Sequence, residues 1–189
     1  MTLLATALLS AALTAPDLLR ECRSQIPQNA ELTGEIVMRS KRGIVLSRHD
    51  YRLVRTGGET SLFLDGQALD LKANPVEPLA GTDVTPSGLA LDYLSWSDVS
   101  FDEAREGETV NGCAASILVL RQGERKVLIW IDRKTHALLQ AEEWRGEKPF
   151  RRLWGTRLKK FGERWMANVM EVETLGSGHR TKITVEELK

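Results

Sequence analysis

The hydrophobic pattern predicts one short helix in the middle of the chain, at residues 82–97 (TDVTPSGLALDYLSWS). Apolar residues recur there at i, i+3, i+4, i+7 and i+8, a spacing that places them on one helical face. They are Pro86, Leu89, Ala90, Tyr93 and Leu94. Thr85 marks the start of this helix, because a threonine cap suits the proline that follows it at the first helical position.

Outside this helix, most of the chain alternates apolar and polar residues with a period of two, as β-strands do. Turn signals such as Gly43 and Gly57-Gly58 separate these runs. The predicted strands cover residues 32–39, 44–55, 61–64, 114–121, 126–132, 137–145, 150–160, 164–174 and 180–188. The 150–160 run breaks its alternation near Gly155, as a β-bulge does. The pattern predicts a mainly β (α+β) fold, in which a highly curved antiparallel sheet forms an incomplete barrel.

The N-terminal region contains two apolar segments of different character. Residues 1–15 (MTLLATALLSAALTA) are typical of a secretory signal peptide cleaved near Ala12 or Ala15, and the alternative is a buried N-terminal helix. Residues 16–26 predict an amphipathic helix, which Pro27 ends. We therefore expect a signal peptide at 1–15 and a single domain at 16–189, in which the N-terminal helix and a short internal lid helix cover the sheet.

The composition is that of a globular protein with no overall charge. The 189 residues are 42% hydrophobic, and 26 Lys+Arg balance 26 Asp+Glu. An acidic stretch at 92–108 and a basic stretch at 145–164 are expected to be solvated strand faces, with a partner-binding surface as the alternative. Basic residues and tryptophans interleave at 150–165, a mixture that can bind single-stranded nucleic acid by stacking and phosphate contacts. Because the chain is neutral and is expected to be exported, we expect no nucleic-acid partner.

No catalytic or metal-binding constellation is evident in the sequence. The histidines, His49, His136 and His179, are far apart, and neither HExxH nor GxSxG occurs. Without a CxxC or Cys/His cluster, a metal site is not expected, nor is a cofactor. The cysteines, Cys22 and Cys113, either form a disulfide in an oxidising compartment or remain two separate buried thiols.

Residues 81–188 resemble the outer-membrane lipoprotein-sorting (LolA-like) protein family. The resemblance is carried by the order of TDVTPSGLALDYLSW, VNGCAASILVL, VLIWIDRKTHALLQAEEW and RRLWGTRLKKFGERWMANVMEVET. It implies an incomplete antiparallel barrel with a helical lid, a periplasmic location, and a carrier function without covalent chemistry. It also implies acyl chains of lipids or lipoproteins as ligands, and inner- or outer-membrane proteins as further partners. We expect a monomer.

The alternation along the strands and the apolar face of the lid helix predict which residues would line a lipid cavity. They are Ile36, Met38, Leu46, Leu62, Leu64, Leu89, Tyr93, Leu94, Leu118, Leu128, Trp130 and Leu138. Each of them serves equally well as an ordinary core residue. Two other functions stay open: an interaction or envelope-sensor protein with a filled core, docking a partner at 145–164, and a secreted hydrolase with a dispersed site.

Overall fold

The structure is a computed structural model, which describes residues 13–161 and 163–189. It contains two short α-helices, α1 (Ala15–Ser24) and α2 (Pro86–Ala90), a 3-10 helix at Asp92–Ser95 (the 3-10 helix) and one further 3-10 turn at Glu103–Arg105. The strands are β1 (Ala30–Ser40), β2 (Val45–Thr56), β3 (Glu59–Leu64), β4 (Gln67–Leu69), β5 (Asp98–Phe101), β6 (Thr109–Val110), β7 (Cys113–Gln122), β8 (Arg125–Asp132), β9 (Leu138–Arg145), β10 (Lys148–Phe161), β11 (Arg164–Thr174) and β12 (His179–Leu188). The expected signal peptide lies almost wholly outside the described residues.

The strands of the described chain form one open, curved antiparallel sheet. Its order is β4-β3-β2-β1-β12-β11-β10-β9-β8-β7-β5, and β6 pairs with β7 beside β5. Most neighbours are joined by hairpins, but β1 pairs with β12, which brings the first and last strands together in the middle of the sheet. The predicted incomplete barrel is confirmed. So is the bulge in β10, where the register shifts between Gly155 and Arg157.

Helix α1 forms where the amphipathic pattern predicts it. Thr14 caps the helix by accepting a hydrogen bond from the backbone N–H of Asp17 at 3.3 Å. Leu18, Leu19 and Cys22 are buried on the face that packs against the sheet. Among the described residues, no helix has the length and apolarity needed to cross a membrane.

The middle helix begins as predicted and ends early. Thr85 Oγ1 accepts the N–H of Gly88 at 3.0 Å, which confirms the cap. Leu91 then takes a left-handed conformation with φ 57°, and the chain continues as the 3-10 helix. The prediction of one continuous amphipathic face was therefore wrong. Tyr93 reaches the core from the 3-10 helix rather than from α2.

The sheet has an inner face, which packs against α1, α2 and the 3-10 helix, and an outer face. On β7, Leu118 belongs to the inner-face core, whereas Ile117 belongs to a separate cluster on the outer face. That outer cluster is covered by the segment at 102–113, from which Val110 is buried and Glu108 accepts a hydrogen bond from Trp130 Nε1 at 2.8 Å. Both faces of β7 and β8 are therefore apolar.

The loop before α2 is anchored to the sheet by a buried carboxylate. Asp83 accepts hydrogen bonds from the N–H of Thr174 and from the hydroxyl of Thr181, each at 3.1 Å. The N–H of Asp83 in turn donates to Thr181 Oγ1 at 2.9 Å, and His179 Nδ1 lies 3.0 Å from the carboxylate. This anchor holds α2 over the inner face of the sheet.

Candidate functional site

An apolar cavity of about 90 Å³ lies between the end of α1, α2 and the inner face of the sheet. Side chains from distant parts of the sequence line it, and the sheet's curvature brings them together. They include Cys22, Ile26, Leu32, Leu53, Leu89, Leu138, Leu153, Met170, Ile183 and Val185. By the same measure, a single water needs roughly 10–15 Å³. The cavity therefore accommodates several methylene-sized groups but not several complete acyl chains.

A wider groove of about 490 Å³ adjoins this cavity. The two spaces share a wall formed by Ile26, Pro27, Arg55 and Leu91. Unlike the cavity, the groove is lined by several polar and charged side chains. These are Arg23, Gln28, Thr60, Lys72, Ser87, Asp92 and Ser95. The site as a whole is therefore amphipathic, with an apolar cavity beside a polar groove.

Arg55 is the charged residue on the shared wall. Its Nη2 donates a hydrogen bond to the backbone oxygen of Ala90 at 2.8 Å, while its Nε is buried and has no partner among the described residues. Burial lowers the pKa of the Arg55 guanidinium, since the charged form loses hydration. No carboxylate of the described chain forms an ion pair with Arg55, so an anionic group at this wall would relieve the cost of its burial.

A second arginine also holds the cover of the cavity through backbone oxygens. Arg23, near the end of α1, donates to the backbone oxygen of Leu94 and, at 3.1 Å, to that of Trp96. These bonds tie α1 to the 3-10 helix. The cover of the cavity consists of α1, α2 and the 3-10 helix. Its parts are joined to one another by the bonds of Arg23, and it is joined to β2 by the bond from Arg55 to Ala90. None of these bonds is a buried ion pair.

Tyr93 lies under the same cover and is almost completely buried. Burial raises its pKa well above the ordinary value, and the nearby Glu143 carboxylate raises it further. Glu143 is itself paired with Arg151, whose Nη1 lies 2.9 Å from it, and the Arg151 side chain is only 4% exposed. Tyr93 is therefore a neutral phenol at physiological pH and a structural part of the cover.

The structure distributes the twelve predicted cavity residues over three locations. Leu89 and Leu138 line the cavity. Seven others belong to the inner side of the sheet or its cover without being among the cavity-lining residues. They are Ile36, Met38, Leu62, Leu64, Tyr93, Leu94 and Leu118.

The remaining three need correction. Leu46 is 51% exposed, because it shares the strand parity of Arg48 and Arg52, which point away from the inner face. Leu128 and Trp130 belong to the outer-face cluster. On strands that are apolar on both faces, alternation does not distinguish the inner residues from the outer ones.

Arg55 and Met170 were missed as candidates. In the sequence, Arg55 continues the parity of Tyr51 and Leu53, which are both buried on the inner face. An arginine at an inward position was therefore a signal for a polar group in the site. Met170 gave no such signal, because β11 contains apolar residues of both parities.

Of the two alternatives for the cysteines, the structure shows separate thiols. Cys22 is buried and lines the cavity, while Cys113 is partly exposed at the start of β7. The paired alternative is wrong. Burial raises the pKa of the Cys22 thiol to about 12.

Within the described ranges, no group of three or more His, Cys, Asp or Glu residues is arranged to hold a metal ion.

Three arginines of the basic stretch at 145–164 make contacts within the protein near the start of β10. Arg151 pairs with Glu143, and Arg152 Nη2 lies 2.7 Å from the buried carboxylate of Glu142. Arg145 stacks on the Phe150 ring, with its guanidinium carbon 3.5 Å from the ring centroid. These contacts account for three of the arginines that a partner-docking surface was expected to use.

Comparisons with known proteins identify the fold. A family model described only as "Uncharacterized protein" matches residues 103–189, and no curated protein matches the chain. The solved structure of a DUF1329 family protein from Desulfovibrio piger is 14% identical in sequence to this chain, with a TM-score of 0.73. The match covers 93% of this chain and 91% of the Desulfovibrio protein. The LolA superfamily protein NE2245 from Nitrosomonas europaea is 13% identical, with a TM-score of 0.71 over 94% of each chain.

A third solved structure agrees with these two. The putative outer membrane lipoprotein-sorting protein domain from Vibrio parahaemolyticus is 13% identical to this chain. Its TM-score is 0.73, over 93% of this chain and 91% of the other. At such low identities the likeness concerns the arrangement of the backbone.

Proposed function

Because the chain has the fold of the LolA-like lipoprotein-sorting proteins, we propose that it is a periplasmic carrier that binds a lipid or a lipoprotein through an acyl chain. The observation that carries this proposal is the apolar cavity beneath α1 and α2, which adjoins a polar groove. Such a site suits an amphiphile, and the absence of a nucleophile–base pairing in the sequence favours a binding protein over a hydrolase.

The size of the cavity limits the ligand. A volume of about 90 Å³ accommodates part of one acyl chain, far less than the three chains of a triacylated lipoprotein. Burying about five or six methylenes contributes on the order of 4–5 kcal/mol, at about 0.8 kcal/mol each. That contribution allows reversible binding, which a carrier needs for release. A larger cargo requires the cover to separate from the sheet.

The contacts of the cover are suited to such a movement. Helix α2 has five residues, and Arg55 and Arg23 hold the cover through hydrogen bonds to backbone oxygens. Hydrogen bonds of this kind contribute roughly 0.5–3 kcal/mol each, so the cover opens at a modest cost.

The groove supplies the place for the polar end of the ligand. Arg55 lines both the cavity and the groove and has no carboxylate partner within the described chain, and Lys72 also lines the groove. A ligand with an anionic head therefore gains a charge-assisted contact at Arg55 while its chain enters the cavity.

Titration of the delipidated protein with a fluorescent fatty acid tests this function. Ala167 lines the cavity, so Ala167→Phe fills it, and Ala68→Phe on the exposed strand β4 is the matched control. We expect saturable binding by the wild type and the control, and at least a tenfold weaker affinity for Ala167→Phe. Equal affinity for all three folded proteins, or no saturable binding at all, overturns the proposal.

A further inference from the structure

The tip of the β1–β2 hairpin exposes three consecutive large aliphatic residues. Ile44 is 60% exposed, Val45 43% and Leu46 51%. Single exposed aliphatic side chains are common on protein surfaces, but contiguous ones usually mark an interaction site. The other large hydrophobic residues exposed in the described chain, such as Val76 and Phe101, are separated from one another in the sequence.

Basic residues surround this apolar tip. Residues 39–48 (RSKRGIVLSR) contain four Lys/Arg and no acidic residue. Arg48 is paired with Glu35 at 2.6 Å, and Arg39 donates to the backbone oxygen of Gly43 at 3.3 Å. Lys41 and Arg42 are exposed and form no ion pair among the described residues. The hairpin tip therefore carries Lys41 and Arg42 in its turn and the three apolar residues shortly after them, where β2 begins.

The elements next to the tip do not neutralise this charge. The backbone N–H of Lys41 donates to the oxygen of Gly178, in the β11–β12 turn, where residues 175–179 contain no acid. On the other side, Ser47 Oγ donates to the backbone oxygen of Gly81, and the nearby Asp83 is buried in its own hydrogen bonds.

The backbone of the tip is held in one conformation. Gly43 has φ 80°, which favours glycine, and its N–H donates to the oxygen of Ser40 at 2.9 Å. The N–H of Ser40 donates to the oxygen of Ile44, also at 2.9 Å. The aliphatic side chains are thus presented by a formed hairpin, and exposing them gains nothing for folding.

We propose that residues 41–46, the hairpin tip, dock this protein onto an anionic phospholipid bilayer. Ile44, Val45 and Leu46 enter the boundary between headgroups and acyl chains, and Lys41 and Arg42 contact lipid phosphates. Apolar residues flanked by cations are typical of segments that lie in this interface. A second copy of the chain fits the tip less well, since the cations of two tips would repel each other.

This inference does not depend on the proposed carrier function. Leu46 and Arg55 are nine positions apart on the same strand, which at about 3.4 Å per residue separates the hairpin tip from the cavity wall by roughly 30 Å. The two sites can therefore be altered independently.

Co-sedimentation with vesicles of phosphatidylethanolamine and phosphatidylglycerol tests the proposal, with phosphatidylcholine vesicles for comparison. The triple variant Ile44→Ser/Val45→Ser/Leu46→Ser removes the apolar tip, and Val76→Ser/Phe101→Ser is a matched control on exposed residues elsewhere. Thermal unfolding of each variant establishes that it is folded. A second variant, Lys41→Gln/Arg42→Gln, removes charge and leaves the apolar residues in place.

We expect the wild type and the control to bind the anionic vesicles, and the triple variant to bind at least tenfold more weakly. Lys41→Gln/Arg42→Gln should lose most of its preference for phosphatidylglycerol. Ala167→Phe should still bind vesicles, even if it no longer binds the fatty acid. Equal vesicle binding by the wild type and the folded triple variant overturns the proposal, as does a tip-dependent dimer in sedimentation velocity without vesicle binding.

Discussion

Arg55 Nη2 lies 2.8 Å from the backbone oxygen of Ala90, so a charged side chain from β2 holds the last residue of α2. The same guanidinium forms part of the wall between the apolar cavity and the polar groove. One residue thus contacts the cover and also lies on the boundary between the two spaces.

Replacing Arg55 should change which ligands bind rather than abolish binding. Arg55→Met keeps an unbranched side chain and removes the charge. We expect its affinity for a long-chain fatty acid to fall at least tenfold, because an anionic head loses its partner, a contact of roughly 1.5–3 kcal/mol. Affinity for the fatty alcohol of the same chain length should change little. Competition against a fluorescent probe measures both.

Arg55→Lys is the control for this substitution, since it keeps the charge. It should retain most of the preference for the acid over the alcohol. If Arg55→Met weakens acid and alcohol equally, Arg55 acts only by holding α2 in place, and its assignment to the polar head is wrong.

Arg151 should be among the most sensitive positions for stability. Its side chain is 4% exposed and pairs with Glu143, so Arg151→Met leaves a carboxylate without its partner beneath the cover. We expect a loss of roughly 3–5 kcal/mol in the free energy of unfolding, measured by urea denaturation. Arg180→Met breaks exposed pairs with Glu171 and Glu173 and should cost less than about 1 kcal/mol. Similar losses for the two variants would show that the Arg151 pair is not effectively buried.

Gly34 is predicted to be irreplaceable for steric reasons. A Cβ atom at this position would lie 1.8 Å from the backbone oxygen of Thr184 on β12. Gly34→Ala must therefore push β1 away from β12 in the centre of the sheet, at a cost of about 2 kcal/mol or more. Glu35→Ala on the same strand should cost less than about 1 kcal/mol. Thermal unfolding compares the two, and an unchanged Gly34→Ala would contradict the close β1–β12 approach.

The two cysteines should react at very different rates. Burial raises the pKa of the Cys22 thiol to about 12, so at pH 8 only about one molecule in 10⁴ carries the reactive thiolate, even before access is considered. Raising the pH towards 12 increases that fraction tenfold per unit. Alkylation followed by peptide mass spectrometry should label Cys113 first, and Cys22 only in denaturant or when the cover opens. Rapid labelling of Cys22 in the native protein at pH 8 would contradict the packing of α1.

The alternating strand pattern and the glycine turns were sufficient to predict the curved sheet. The start of α2 was also predictable, because a threonine cap followed by proline is a local signal at Thr85. Its end was not, since Leu91 adopts a left-handed conformation that no residue-type preference indicates. The predicted nine-residue face became a five-residue helix followed by a 3-10 helix.

The candidate site was only partly predictable. Leu46 was misplaced by one step in parity, and a single step moves a side chain to the opposite face of a strand. Trp130 was misplaced because β8 is apolar on both faces, the outer one being covered by residues 102–113. That cover depends on contacts between distant segments, which alternation along a single strand does not reveal.

Photo-crosslinking with a fatty acid that carries a diazirine within its chain measures whether an acyl chain binds inside the cavity. If the acyl chain enters the cavity, labelling should be saturable, should be reduced by Ala167→Phe, and should map to peptides that contain Ile26, Leu138 or Met170. Labelling that does not saturate, or that maps to the outer-face peptide containing Trp130 and persists in Ala167→Phe, would contradict binding inside the cavity.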